Sequence, residues 1–192
     1  MNNYEYIIAS LPVLRNSGDD ITGFEEIVSF IKEQLNDKDL AVLDFLESGF
    51  EDGNLSAVFY SKALSHSNRF IRQYFDFDLH LRNSKVEMIN RRLGRIEGKD
   101  IVEIENYSES LFQDRIDVAL SEFNLLERER KIDSLIWEAV DEITISDIFT
   151  LDMILAFIVK LKISERWMKL DEKTGREMFR KLVFDIKETY SI

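Results

Sequence analysis

An all-α fold is predicted by three observations on the 192-residue chain. Apolar residues recur at helical spacing along most of its length. Glycine and proline number only seven and one. Two-residue alternation is confined to one short stretch. Residues 4–8 (YEYII) carry that alternation and read as either a short N-terminal edge strand or a first helical turn, which Pro12 ends. Phe24, Ile27, Val28, Ile31 and Leu35 mark the next helix, with Thr22 as its N-cap and Asn36 and Asp37 as its interruption. Leu40, Leu43 and Leu46 mark a short helix that Gly49 is placed to end, and GFEDGN is a turn. Residues 55–94 contain no proline and no glycine before Gly94, which fits one long helix or a pair with a small break. Gly94 and Gly98 in GRIEGKD are the clearest interior punctuation. Residues 108–143, 150–170 and 174–189 read as helices, the last with Met178, Leu182, Val183 and Ile186 on its apolar face. No internal repeat of fixed period is expected. The architecture predicted is an elongated bundle of long helices in one domain, 1–192, with a subdivision near residues 94–100.

Composition removes several functional classes. Hydrophobic residues make up 45% of the chain, enough for a packed core, and the net charge of −12 disfavours general binding to nucleic acid or anionic lipid. The absence of cysteine excludes disulfides, thiolate zinc sites and a cysteine nucleophile. The N-terminus lacks the basic and apolar regions of a signal peptide, and Asp152, Lys160 and Lys162 interrupt the most apolar stretch, 148–163. A cytoplasmic protein with no direct membrane insertion is expected. No phosphate loop, dinucleotide fingerprint or EF-hand spacing occurs, and His66 and His80 stand alone, so no cofactor, metal or catalytic residue is expected.

Positive charge gathers in one place. Residues 69–99 hold eight basic residues against four acids, a net +4, which leaves −16 on the remainder of the −12 chain. On a helix, Ile71, Phe75, Leu79, Val86, Ile89 and Leu93 form one stripe. Asp78 and Arg82 lie within it as an i,i+4 pair. Asn83 and Asn90 flank the stripe, and Arg91 and Arg95 point away from it. One reading is a solvated helix that balances the chain's own acids. The other is an assembly face for an acidic or helical partner, built from Arg82, Asn83, Asn90, Arg91, Arg92 and Arg95. Trp167, in a C-terminal region rich in basic and aromatic residues, is a further candidate anchor, since tryptophan and arginine are enriched in binding hot spots.

Three segments carry a resemblance to a known family: YEYIIASLP, NRFIRQYFDFDLHLRN and ERWMKLDEKTGREMFRKLV. They are similar to a bacterial family of uncharacterised proteins encoded beside the genes of V-type ATPases. That family resembles a shortened form of the enzyme's C subunit, the counterpart of the eukaryotic d subunit. The resemblance covers residues 4–183. It implies an all-helical, non-catalytic central-stalk component of a bacterial V-type ATPase or ATP synthase. Such a component would take part in ion and proton transport by coupling the D and F subunits of the shaft to the membrane rotor ring. It would sit peripherally on the cytoplasmic face of the inner membrane. The resemblance also implies that Asp78, Asn83 and the Arg91–Arg92 pair correspond to a loosely matching pattern in the C subunit. A generic helical adaptor would share the same features, and an enzyme without a readable motif is the remaining alternative.

Overall fold

The computed structural model of the chain describes residues 3–16, 23–104 and 110–169. Among these residues all regular structure is helical: α1 (Tyr4–Ser10), α2 (Phe24–Gln34), α3 (Asp37–Ser48), α4 (Ala57–Leu64), α5 (Arg69–Leu93), α6 (Gln113–Leu120), α7 (Leu125–Ile143) and α8 (Leu151–Lys169). A short 3-10 turn, Asp52–Asn54, replaces the expected GFEDGN turn. The alternating stretch at the start is helix, not strand. Asn3 caps it through the Tyr6 amide, and its Ile7 is fully buried. Thr22 and the helix expected over 174–189 lie outside the described residues.

Asparagine starts four of these helices. Asn3, Asn36, Asn68 and Asn124 each accept hydrogen bonds from amides of the first turn, which helices otherwise leave unsatisfied. Asn36 therefore does more than interrupt: it ends α2 and begins α3. At the other end of α3, Gly49 is required by packing. A Cβ there would lie 2.3 Å from Cζ of Phe75.

Two hydrophobic clusters share α5 between them. The larger gathers α1, α2, α3, α4, the Ile71–Phe75–Leu79 stripe of α5, the end of α7 and most of α8. The smaller places Phe77 and Leu81 of α5 against Ile116 and Leu120 of α6 and Ile132, Leu135 and Ala139 of α7. The first half of α5 is thus buried on two sides, which explains its run of aromatics. Within α8, Ile154, Leu155, Ile158 and Val159 are buried. No described helix is long and apolar enough to cross a membrane.

The hairpins α4–α5 and α6–α7 are two versions of one unit, contrary to the expectation of no repeat. Ala63-Leu64-Ser65-x-x-Asn68-x-x-x-Arg72 recurs 56 residues later as Ala119-Leu120-Ser121-x-x-Asn124-x-x-x-Arg128. The hydrogen bonds recur with the letters. Ser65 and Ser121 amides donate to the carbonyls of Ser61 and Asp117, and His66 and Glu122 amides to those of Ala63 and Ala119. Arg72 and Arg128 then reach back from the next helix to the His66 and Glu122 carbonyls, at 2.5 and 3.4 Å. The repeat escapes inspection because the surroundings of the two copies differ. Buried Tyr74 and Phe75 of the first copy stand where Arg130 and Lys131 face solvent in the second.

Candidate interaction surface

The sequence stripe on α5 is continuous, but the core beneath it is not. Ile71, Phe75 and Leu79 are buried, Val86 is half-buried, and Ile89 and Leu93 are exposed. The last turns of α5 therefore run past the bundle. Leu93 is 60% exposed and Ile96, just beyond the helix, 81%. Around them stand Arg91, Arg92, Arg95 and Lys99, all exposed, against the acids Glu97 and Asp100. Arg91 pairs with Glu87 one turn back at 3.2 Å. Arg92 and Arg95 have no ion-pair partner among the described residues.

This end of α5 is fixed in shape. Gly94 adopts a left-handed conformation (φ 60°), and the Gly94 and Arg95 amides donate to the carbonyls of Arg91 and Asn90, closing the helix in a Schellman ending. The chain then turns and runs back along α5. Asn90, fully buried, donates to the Lys99 carbonyl at 2.7 Å. Asn83 donates to the Val102 carbonyl and accepts from the Val102 amide, both at 3.0 Å. Seven residues of helix rise about 10 Å, and three residues of extended chain cover about the same length. The two asparagines therefore grip a returning strap in matching register. Val102 and Ile104 of that strap pack on the larger cluster.

The candidates thus separate. Arg91, Arg92 and Arg95 form the exposed basic end with Ile89, Leu93 and Ile96. Asn83 and Asn90 commit their side chains to main-chain atoms of the strap. Trp167 is half-buried, donates its ring N–H to Asp133 at 2.7 Å and lies beneath the guanidinium groups of Arg130 and Arg166. Asp133, itself buried, also accepts from Arg166, so the group ties the end of α8 to α7.

The expected Asp78–Arg82 pair does not form. Asp78 instead accepts a 2.6 Å hydrogen bond from the hydroxyl of Tyr60 on α4. Spacing along one helix says nothing about a donor arriving from another. Burial raises the Asp78 pKa above its ordinary range, while the Tyr60 bond, Lys85 and Arg82 pull it back. Arg82 is half-buried, and its Nε has no hydrogen-bond partner among the described residues.

The histidines are also apart. His66 sits in the α4–α5 turn, stacks on Phe45 and accepts from the Asn68 amide, whereas His80 is buried on α5. No group of three or more histidine or acidic side chains placed to hold a metal occurs among the described residues.

Fold and surface together define a helical protein that contains two hairpin units of one kind and presents a rigid, basic, partly apolar helix end. The family described as "Protein of unknown function (DUF2764)" matches residues 50–123 and 108–190, spanning both hairpins, and the chain belongs to that family. No curated protein and no solved structure matches it.

Proposed function

We propose that the protein is a non-catalytic assembly component that docks an acidic partner on the end of α5. We further propose that this partner belongs to a bacterial V-type ATPase. There the chain would take a place like that of the C subunit, between the rotor ring and the D and F subunits of the shaft. The observation that carries the docking role is the exposed, rigid end of α5, where Arg92 and Arg95, without an ion-pair partner among the described residues, surround exposed aliphatic side chains on a chain of net charge −12. Opposite charge steers association, and apolar contact holds the complex afterwards. The V-type assignment is supported by the resemblance that YEYIIASLP, NRFIRQYFDFDLHLRN and ERWMKLDEKTGREMFRKLV carry.

The test is co-purification from native membranes of the wild-type chain beside Arg91→Glu with Arg95→Glu. Both side chains are exposed and Arg91 loses only its Glu87 pair, so the double change should cost folding no more than about 1 kcal/mol. The wild type should retain ATPase subunits, and the double variant should lose them, with the difference between the two shrinking as salt rises and screens both the native attraction and the introduced repulsion. A wild-type chain that retains no ATPase subunit refutes the assignment. Recovery of some other acidic partner, lost in the same variant, would support the wider adaptor reading.

A further inference from the structure

A groove of about 350 Å³ runs between α2 and α8. Phe24, Val28 and Lys32 line one wall, Ile158, Leu161 and Glu165 the other. Each wall is a single helical strip, stepping by three or four residues. Ile158 and Leu161 are buried, whereas Phe24 and Val28 are only half-buried, so the α2 wall still offers apolar surface. That wall is also acidic. Lys32 is matched by Asp44 and Glu47, but Glu25 at the rim and Glu26 and Glu33 elsewhere on α2 are exposed, with no ion-pair partner among the described residues.

The groove opens where α8 ends. Glu165 in its wall lies one turn before Lys169, the last residue of that helix. The sequence continues beyond the described residues as LDEKTGREMFRKLVFDIKETY, 170–190. Spacing over 174–189 predicts a helix with Met178, Leu182, Val183 and Ile186 on one face, and such a face must be covered. From Met178 to Ile186 a helix rises about 12 Å, the same as from Phe24 to Lys32. Residues 173–181 hold four cations, Lys173, Arg176, Arg180 and Lys181, against Glu177 alone, which suits the unmatched acids of α2. The groove between α6 and α7 fits less well, because Asn16 already donates to Ser134 in its wall at 3.1 Å.

We infer that residues 174–189 fold back along α8 and seat their Met178–Leu182–Ile186 face in the groove between α2 and α8. The occupant is this chain's own segment because of size and tether. A free partner, whether foreign or a second copy, needs roughly 800 Å² per side, and a groove under three helical turns long supplies less. A tethered segment escapes that requirement. The four residues 170–173 are an ordinary length for a link between neighbouring helices, and they hold the segment at millimolar effective concentration beside the groove. The inference goes beyond the proposed function, since it concerns a different face and stands whatever docks on the end of α5.

The chain contains no cysteine, so a pair introduced by mutation reports one proximity. Ser29→Cys places a thiol on the exposed rim of the groove. The second thiol is introduced in turn by Met178→Cys, Leu182→Cys, Ile186→Cys or Phe184→Cys, each in the full chain. A disulfide requires Cβ atoms within about 4.5 Å, and on a helix Phe184 faces away from the stripe. Under mild oxidation, read by non-reducing electrophoresis and peptide mass, an intrachain disulfide is expected with at least one of the three stripe positions. It should form about tenfold or more faster than with Phe184→Cys, the ratio that about 1.4 kcal/mol of seating provides. Ser134→Cys, in the other groove, should link to Leu182→Cys no faster than Ser29→Cys links to Phe184→Cys. No intrachain disulfide, equal rates at stripe and Phe184 positions, disulfides only between two copies, or preference for Ser134→Cys each overturn the inference.

Discussion

Asn83→Ala isolates the strap that shapes the end of α5. The substitution removes both hydrogen bonds to Val102, each 3.0 Å and neutral. A neutral hydrogen bond contributes about 1 kcal/mol net, and the freed Val102 groups regain part of that from water. The expected loss is about 1–2 kcal/mol, or about 2–4 °C per kcal/mol in melting temperature for a chain of this length. Most of the effect should be local. Amide hydrogen exchange read at Val102 should accelerate about tenfold for each 1.4 kcal/mol of lost protection, while the amides of α8 respond only to the global change. Asn83→Asp provides a control with a directional outcome. Its carboxylate still accepts from the Val102 amide but repels the Val102 carbonyl, so the amide stays slower than in Asn83→Ala although the strap is loosened. If the Val102 amide exchanges at the wild-type rate in Asn83→Ala, the strap is held by something other than Asn83 and the account of a rigid end fails.

Two further outcomes follow from buried contacts. Tyr60→Phe removes the hydrogen bond to Asp78 and should cost about 1 kcal/mol while Asp78 holds its proton and about 1.5–3 kcal/mol once it is charged. Asp78 has a raised pKa in the folded state, so the native chain holds that proton more tightly than the unfolded chain, and stability falls as pH rises from the ordinary carboxylate range through the raised value. The Tyr60 bond is stronger to the charged form, so urea denaturation should show the Tyr60→Phe penalty shrinking toward about 1 kcal/mol in acid; a pH-independent penalty would contradict this. Gly49→Ala should destabilise by about 1–3 kcal/mol because Phe75 is enclosed by Phe45 and Phe59 and cannot retreat from the new methyl group. Gly53→Ala, with nothing within 4 Å, should be close to neutral in the same thermal melt, and equal effects would remove the packing argument.

Helix positions are legible where one face alone meets the core. The spacing of Phe24, Ile27, Val28 and Ile31 locates α2, and Gly94 and Gly98 mark the end of α5, because a helix buried on one side writes that side into the sequence. Residues 4–8 mislead, since two-residue alternation over five positions also fits a short helix whose single inward residue is Ile7. The stripe on α5 is amphipathic, as its spacing predicts, but periodicity cannot say what covers it. The core ends before Ile89, and the same leucine and isoleucine spacing that buries Leu79 exposes Leu93. Asn83 and Asn90 read as surface residues on a helix edge. Their partners are main-chain atoms of Lys99 and Val102, and main-chain atoms leave no letter in the sequence. Asp78 matches Arg82 by spacing and belongs to Tyr60 by geometry.

The basic end of α5 and the α6–α7 turn, which exposes Phe123, Leu125 and Leu126, lie at one end of the molecule. Arg69, the first residue of α5, is tied to Asp147 and Asp152, just past the end of α7 and at the start of α8. Farther along, Gln113 of α6 bonds Ser84 of α5 at 3.1 Å, and Asp133 of α7 meets Arg166 of α8. These ties make α7 antiparallel to α5 and α8 parallel to it. From the Arg69 knot, α5 rises about 36 Å to Leu93, while α7, 19 residues from Leu125 to Ile143, covers about 28 Å beyond the turn that holds Asp147. The two exposed ends therefore both lie far from the Arg69 knot, on the same side of it. A partner offering acids beside an apolar turn can engage both at once. The second contact is then made within an existing complex, at the high effective concentration that a rigid frame provides. Neither patch needs to be strong alone, which is consistent with a chain that presents three apolar side chains at one site and four cations at the other.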